Sequence, residues 1–273
     1  MKKEIKDIAI GAFDGMHLGH KALFRRLDEN GAIVVIQKHN ATITPGRYRC
    51  EYVNKPCFFY DIKDIKDLDA KSFVDMLKKD FPNLKKIVVG YDFAFGKDRK
   101  YSIKDLKRYF DGLVEVVDEV KKDGISVHSR VIREFIKSGD IKRSNSLLGH
   151  TFKIVGKVIK GQGLGKERLY PTINIDPNSF ILPKEGVYAT ITNIDGFYKP
   201  SVTFIGNRLS TDKSFSIETH IIKEDIKNLP KKIEILFLDR IRDVKKFNSL
   251  DELKKEIQND IKKALKIIKE HTI

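Results

Sequence analysis

Cysteine is scarce in this chain: Cys50 and Cys57 are its two. Their spacing matches neither a zinc knuckle nor a redox dithiol, so reduced, inert thiols are expected. Long hydrophobic runs are missing as well. The longest, such as Ile33-Val34-Val35-Ile36, fall far short of a membrane span, and the lysine-rich start lacks the apolar stretch of a signal peptide. A cytoplasmic protein with no membrane partner is expected. Internal repeats and low-complexity linkers are also lacking, which predicts a short junction between any two domains.

What the chain does have is length and positive charge. Its 273 residues suit two domains of ordinary size. With 41% hydrophobic and 33% charged residues it reads as globular and well solvated. A formal net charge of +15 points to an anionic partner. Nucleic acid is not expected, because lysines such as Lys254-Lys255 and Lys262-Lys263 are scattered over solvated helix faces without interleaved arginines and aromatics. Small substrates carrying phosphates would be served by the same field. Self-association stays open.

The first half alternates strand-like apolar runs with amphipathic stretches. Residues 5–13, 18–28, 32–37, 71–79 and 85–90 come in turn, then a helix after Ser102, a strand at 113–117 and a helix at 131–137. Such alternation predicts a parallel sheet covered by helices, a doubly wound α/β domain. Ser102 and Asp105 have the spacing of a helix capping pair. Near Leu148-Gly149 the pattern changes to alternating apolar and polar segments separated by turns, which puts the domains at 1–149 and 150–273. Strands are expected at 152–159, 187–193, 197–204, 216–222 and 232–238, with Asp195-Gly196 turning a hairpin. An antiparallel barrel closes such a set. A last helix is predicted from Ser249, where Glu252 completes a capping box and Leu253, Ile257 and Ile261 form a stripe that would pack on the barrel.

The first strand runs into Gly11-Ala12-Phe13-Asp14-Gly15-Met16-His17-Leu18-Gly19-His20. Glycines at a strand-to-helix turn let backbone amides approach a phosphate, and two histidines three apart project to one side of the first helical turn. Each feature alone is an ordinary turn or a surface histidine; together they point to a nucleotide, and the missing Walker lysine argues against a P-loop. This turn resembles the His-x-Gly-His mark of the nucleotidylyltransferase superfamily. The whole chain resembles the bacterial bifunctional riboflavin kinase/FAD synthetases (FMN adenylyltransferases). Gly90-Tyr91-Asp92-Phe93-Ala94-Phe95-Gly96 with Arg99, and Ser129-Arg130-Val131-Ile132-Arg133, carry the resemblance further. It implies a Rossmann-like N-terminal domain in which the phosphate of FMN attacks the α-phosphorus of ATP and pyrophosphate leaves. By the same resemblance Gly11, Phe13, Asp14, His17 and His20 line the ATP site, with the histidines catalytic. Ser129 and Arg133 hold phosphates, and Asp92, Phe93, Phe95 and Arg99 lie toward the flavin. The chain departs from the family where a serine and a threonine are replaced by His128 and Arg130. It departs again where Gln37-Lys38-His39-Asn40 stands for Phe-x-Pro-His-Pro.

In the second half, Gly156-Lys157-Val158-Ile159-Lys160-Gly161 leads through Gly163 and Gly165 to Tyr170-Pro171-Thr172-Ile173-Asn174. Thr172 and Asn174 offer neutral oxygens beside a glycine-rich loop, donors suited to Mg²⁺ that shares its shell with phosphates. A Pro-Thr turn with a structural Asn is the plainer alternative. The resemblance identifies this stretch with the Pro-Thr-Ala-Asn segment of riboflavin kinases, and Ser216-Ile217-Glu218-Thr219-His220 with their Glu-x-His segment. It implies a six-stranded antiparallel riboflavin-kinase-type β-barrel with a terminal helix. In it Glu218 is the general base, Thr172 and Asn174 hold Mg²⁺, and Gly161 and Lys166 meet the nucleotide. Arg242 contacts flavin or nucleotide, or pairs with Asp243. The implied activity is phosphorylation of riboflavin to FMN by ATP, then adenylylation of FMN to FAD by a second ATP. A riboflavin kinase with a decayed adenylyltransferase half is the alternative, and a basic nucleic-acid-binding protein a remote one.

Overall fold

Runs without polar interruption, such as Ala32-Ile33-Val34-Val35, become central strands of a sheet buried on both faces. The computed structural model describes residues 2–38, 40, 42–160, 170–207, 214–224, 226 and 228–271. Its contacts divide into two units, Met1–Ser129 and Arg130–Ile273. In the first, the elements are β1 (Asp7–Gly11), α1 (Leu18–Phe24), β2 (Gly31–Gln37), β3 (Cys57–Asp61), α2 (Ile62–Ile65), α3 (Ala70–Asp80) and β4 (Lys86–Gly90). There follow β5 (Ala94–Phe95), β6 (Tyr101–Ser102), α4 (Ile103–Tyr109), β7 (Leu113–Val117), β8 (Lys121–Lys122) and β9 (Ile125–Ser126).

Five strands form a parallel sheet in the order β3-β2-β1-β4-β7. Alternate residues feed two cores. Ile8, Ile10, Ala32, Val34, Ile87 and Val89 meet Phe73, Val74, Leu77 and Leu106 on one face. Ala9, Ile33, Val35 and Val88 meet Phe13, Met16, Leu23 and Leu27 on the other. The sheet grows outward from β1 in both directions, so the switch point lies at the carboxyl ends of β1 and β4, where open α/β sheets bind ligands. The capping pair is present: the Ser102 side chain caps α4 while Asp105 accepts from the Ser102 backbone at 2.8 Å.

The second unit takes up α5 (Ser129–Ser138) from its second residue. It continues with α6 (Ile141–Leu148), β10 (Lys153–Ile159), β11 (Ile173–Asp176), β12 (Gly186–Ile194), β13 (Phe197–Asn207), β14 (Phe215–Ile221), β15 (Lys232–Arg242) and α7 (Leu250–His271). The six strands close into an antiparallel barrel, β10-β11-β14-β13-β12-β15. The unit begins earlier than position 150 because the two helices bind the barrel. Asn145 donates to the Phe237 carbonyl at 2.9 Å and accepts from the Phe152 amide at 2.8 Å. At the hairpin, Asp195 and Gly196 both have positive φ (49° and 90°), the turn whose twist matches the strands it joins. The helix α7 packs on the barrel mainly through residues beyond the predicted stripe: of Leu253, Ile257 and Ile261 only Ile261 joins the core, where it sits with Ala264, Leu265 and Ile268 against Val187, Ala189, Val202 and Leu238.

Inside the barrel lies a ring of five buried hydroxyls. Thr190 bonds Ser201 and Thr203 at 2.8 Å each, and Thr192 bonds Ser201 at 2.8 Å and Thr219 at 3.3 Å. Thr203 closes the ring onto Thr219 at 3.0 Å. Five protons serve five bonds, so every hydroxyl donates once and accepts once, which is how polar groups survive burial. Gly156 faces the same crowding: a Cβ there would come within 2.6 Å of Ile175 Cδ1 and 2.7 Å of its Cβ. Gly156→Ala is therefore expected to cost about 1–3 kcal/mol by overpacking, read as a lower urea midpoint at unchanged slope.

Candidate active sites

The histidine turn leaves the carboxyl end of β1 through a backbone that bends sharply. Phe13 and Met16 adopt left-handed φ (49° and 45°), as does Gly15 (85°). Such conformations persist only where packing enforces them. Here Phe13 and Met16 are fully buried, and Phe13 meets the rings of Phe24 and His20 edge-on at 5.0 and 5.2 Å. Phe13 thus supports the turn from below, and Gly11 fits against it, since a Cβ would lie 3.0 Å from the Phe13 ring. Asp14 is a hub. Its carboxylate accepts from the Thr44 amide at 3.1 Å and lies 4.0 Å from the buried Arg49 guanidinium. Its carbonyl accepts from the Ser129 hydroxyl at 2.8 Å.

His17 and His20 do come together. Their rings stack at 3.5 Å, and His17 Nδ1 accepts from the His20 amide at 3.3 Å, capping α1. Gly19 lets them approach the strand-end loop, because a Cβ there would sit 3.1 Å from the His17 ring and 3.2 Å from the Val127 carbonyl. Burial pulls the His20 imidazole well below its ordinary pKa, and the neighbouring His17, Arg49 and His128 add to the effect. The ring is uncharged at neutral pH, while its Nδ1 is buried without a hydrogen-bond partner among the described residues. A phosphate brought against the pair would favour the protonated form.

Around this turn the structure adds Arg49, which the sequence did not single out, and shows what the substituted His128 meets. Arg49 comes from a 3-10 helix (Gly46–Tyr52); its only sequence sign was an arginine in a proline- and glycine-bounded loop. His128 bonds Tyr91 Oη through Nε2 at 3.0 Å and lies 3.6 Å from Glu119, which also accepts from Ser126 at 2.7 Å. The large side chain that replaces a serine is thus held on the surface side, and Arg130 is exposed. Of the residues expected to lie toward the flavin, Phe95 is a core side chain against Phe73 and Tyr101, with the half-buried Phe93 stacked on it at 5.6 Å. Asp92 is exposed, and Arg99 donates to its carbonyl at 3.0 Å. Arg133, on α5, is half-buried in the second unit.

In the barrel, strand alternation puts Glu218 on the face opposite the interior Thr219. Asn174 on β11 is its register partner and is buried. The Thr172 hydroxyl donates to Glu218 Oε2 at 3.2 Å, and that of Ser216 donates to Oε1 at 2.9 Å. His220, next on the same face, holds the turn: its Nδ1 bonds the Pro171 carbonyl at 2.9 Å and its ring lies 5.1 Å from that of Tyr170. Since a carbonyl only accepts, Nδ1 carries the proton. Burial lowers the His220 pKa, and the Pro171 bond opposes that shift.

These residues fit a magnesium ion. Thr172 spends its proton on Glu218, which leaves its lone pairs for a cation, and Asn174 adds a second hard oxygen. Among the described residues no three His, Cys, Asp or Glu side chains cluster as metal ligands. A cation here would lean on substrate phosphates, as Mg²⁺ commonly does. Gly161 and Lys166 lie outside the described residues. Arg242 is committed elsewhere: its Nε donates to both Asp260 oxygens at 3.0 Å, its Nη2 to Oδ2 at 2.7 Å, and its Nη1 to the Asp243 carbonyl at 3.0 Å.

Comparison with known proteins finds relatives for both halves of the chain. A riboflavin kinase family model matches residues 148–268, and an FAD synthetase family model matches residues 34–131. The bifunctional riboflavin kinase/FMN adenylyltransferase of Buchnera aphidicola subsp. Acyrthosiphon pisum is 32% identical over 93% of this chain and 90% of its own. The protein of that name from Listeria monocytogenes is 28% identical over the same shares. A crystal structure from Streptococcus pneumoniae superposes with a TM-score of 0.82 at 28% identity, covering 94% of this chain and 92% of that one. It was described as a macrolide-efflux protein; among the described residues here, no helix is long and apolar enough to cross a membrane. Similarity along nearly the whole length, with one family model on each half, makes this chain a member of the bifunctional riboflavin kinase/FMN adenylyltransferase family.

Proposed function

We propose that residues 150–273 phosphorylate riboflavin on the barrel face built by Thr172, Asn174 and Glu218, and that residues 1–149 adenylylate the product at the histidine turn. The spans of the two family models support this division. The enzyme is a riboflavin kinase and FMN adenylyltransferase that uses ATP twice and yields FMN and FAD. The observation that carries the kinase assignment is the contact of Thr172 with Glu218 at 3.2 Å beside Asn174.

In the first reaction Glu218 takes the proton from the ribityl 5′-hydroxyl as that oxygen bonds the γ-phosphorus of ATP and ADP leaves. Thr172 and Asn174 would hold Mg²⁺, which would neutralise phosphate charge. In the second, a phosphate oxygen of FMN bonds the α-phosphorus of another ATP, and pyrophosphate leaves with the bonding electron pair. No side chain becomes covalently attached. His17 and His20 supply donors to the phosphate oxygens, and Ser129 adds to the hold, so catalysis here is positioning and charge stabilisation. The FAD synthetase match over residues 34–131 speaks against a decayed adenylyltransferase half. Both reactions draw on ATP, which favours the cytoplasm as the place of work.

Incubation with riboflavin, ATP and Mg²⁺, followed by separation of the flavins, tests this reading. Both FMN and FAD are expected, and accumulation of FMN alone would remove the second activity. Asn174→Ala should halt the first step. His17→Ala should slow FAD formation from supplied FMN by on the order of 10²-fold, the scale of one lost oxyanion donor, with FMN formation intact. Undiminished adenylylation would take His17 out of the site.

A further inference from the structure

Among the described residues, hydroxyls donate to both oxygens of the Glu218 carboxylate, and one of these donors, Ser216, has no part in the chemistry above. Ser216 and Glu218 are alternate residues of β14, so they project from the same face. Ser216 is 8% exposed, and its hydroxyl donates to Glu218 Oε1 at 2.9 Å. Thr172 donates to the other oxygen, Oε2, at 3.2 Å. The two donors differ in what anchors them. Thr172 precedes β11 in the Pro171 turn, whereas Ser216 is fixed in a strand paired on β13 at Ser216↔Gly206. Its cross-strand neighbour on β13, Gly206, has no side chain to compete for the hydroxyl.

We propose that Ser216 is a positioning residue for the kinase reaction, fixing the rotation of the Glu218 carboxylate so that one oxygen stays aimed at the incoming hydroxyl. The proposal rests on the assignment of Glu218 as the base. A carboxylate with one donor can turn about its terminal bond, where the rotational well is broad. Donors from different segments, one at each oxygen, define its plane. Because Thr172 is also in the reacting group, Ser216 is the donor that remains unchanged while substrates bind, and it sets the alignment on which proton transfer depends.

The test is steady-state kinetics of riboflavin phosphorylation by the full-length chain. Ser216→Ala should lower kcat roughly tenfold, the scale of one lost hydrogen bond to a charged group, with the KM for riboflavin and for ATP within about twofold of the parent, since uniform binding is untouched. Ser216→Thr, which keeps the hydroxyl, should restore most of kcat. Adenylylation of supplied FMN should be unaffected in both. An unchanged kcat in Ser216→Ala, or equal damage from Ala and Thr, would overturn the proposal. Glu218→Gln measured alongside separates the two claims. If it retains kcat, the base assignment itself fails. If it is silent while Ser216→Ala performs like the parent, only the positioning role fails. Adding Ser216→Ala to Glu218→Gln should cause no further loss, because both act through one group.

Discussion

Glu218→Gln is expected to stop FMN formation, lowering kcat by roughly 10²- to 10⁴-fold, the usual contribution of a general base. The amide is nearly isosteric, so the barrel should fold as before. Its carbonyl can still accept from Ser216 or Thr172, but it cannot take up the hydroxyl proton. FMN added directly should still be converted to FAD at the parental rate, because that reaction belongs to the histidine turn. A variant that phosphorylates riboflavin at more than about a tenth of the parental kcat would exclude Glu218 as the base, given the range expected for such a group.

The second large effect is on stability. Arg242→Ala should destabilise the barrel unit by about 3–5 kcal/mol, because it leaves a buried carboxylate without its counter-ion. Asp260 is 2% exposed and receives three hydrogen bonds from the Arg242 guanidinium, which ties α7 to the end of β15. Burial raises the Asp260 pKa and outweighs the opposing pull of Arg242. Without the arginine that rise grows. An acid whose folded-state pKa lies above its unfolded value destabilises the fold when ionised, so the deficit should shrink as pH falls through the raised folded pKa. Adding Asp260→Asn to Arg242→Ala should recover part of the loss at neutral pH. Thermal unfolding across pH would check this. A variant with parental stability and a raised KM for riboflavin would return Arg242 to flavin contact.

Much of the architecture was legible in the chain because it follows local periodicity. The alternation of strand and helix patterns foretold the parallel sheet, and the Ser102/Asp105 and Asp195-Gly196 signals matched a cap and a hairpin turn. What was missed was short or lacked a pattern. β3 is five residues with no alternation of buried and exposed positions. β11 is four residues, Ile173–Asp176, inside what read as a loop. α6 is eight residues and carries serines and an asparagine that a helix scan discounts. Its Asn145 is spent on two barrel backbone groups, which is why the second unit starts before the change in pattern at 149.

By itself the sequence carried the two kinds of fold and the histidine turn, which are written in local periodicity and short segments, and through its resemblance to the family it proposed Thr172, Asn174 and Glu218 as the kinase set. Tertiary structure alone decided which of the candidate residues meet. Arg49 beside Asp14, His128 on Tyr91, Ser216 and Thr172 on the two oxygens of Glu218, and Arg242 on Asp260 all depend on how strands pair and loops return. The physical reason is that a side chain's partners are set by register and packing between distant segments. Local spacing can say only which way the side chain points.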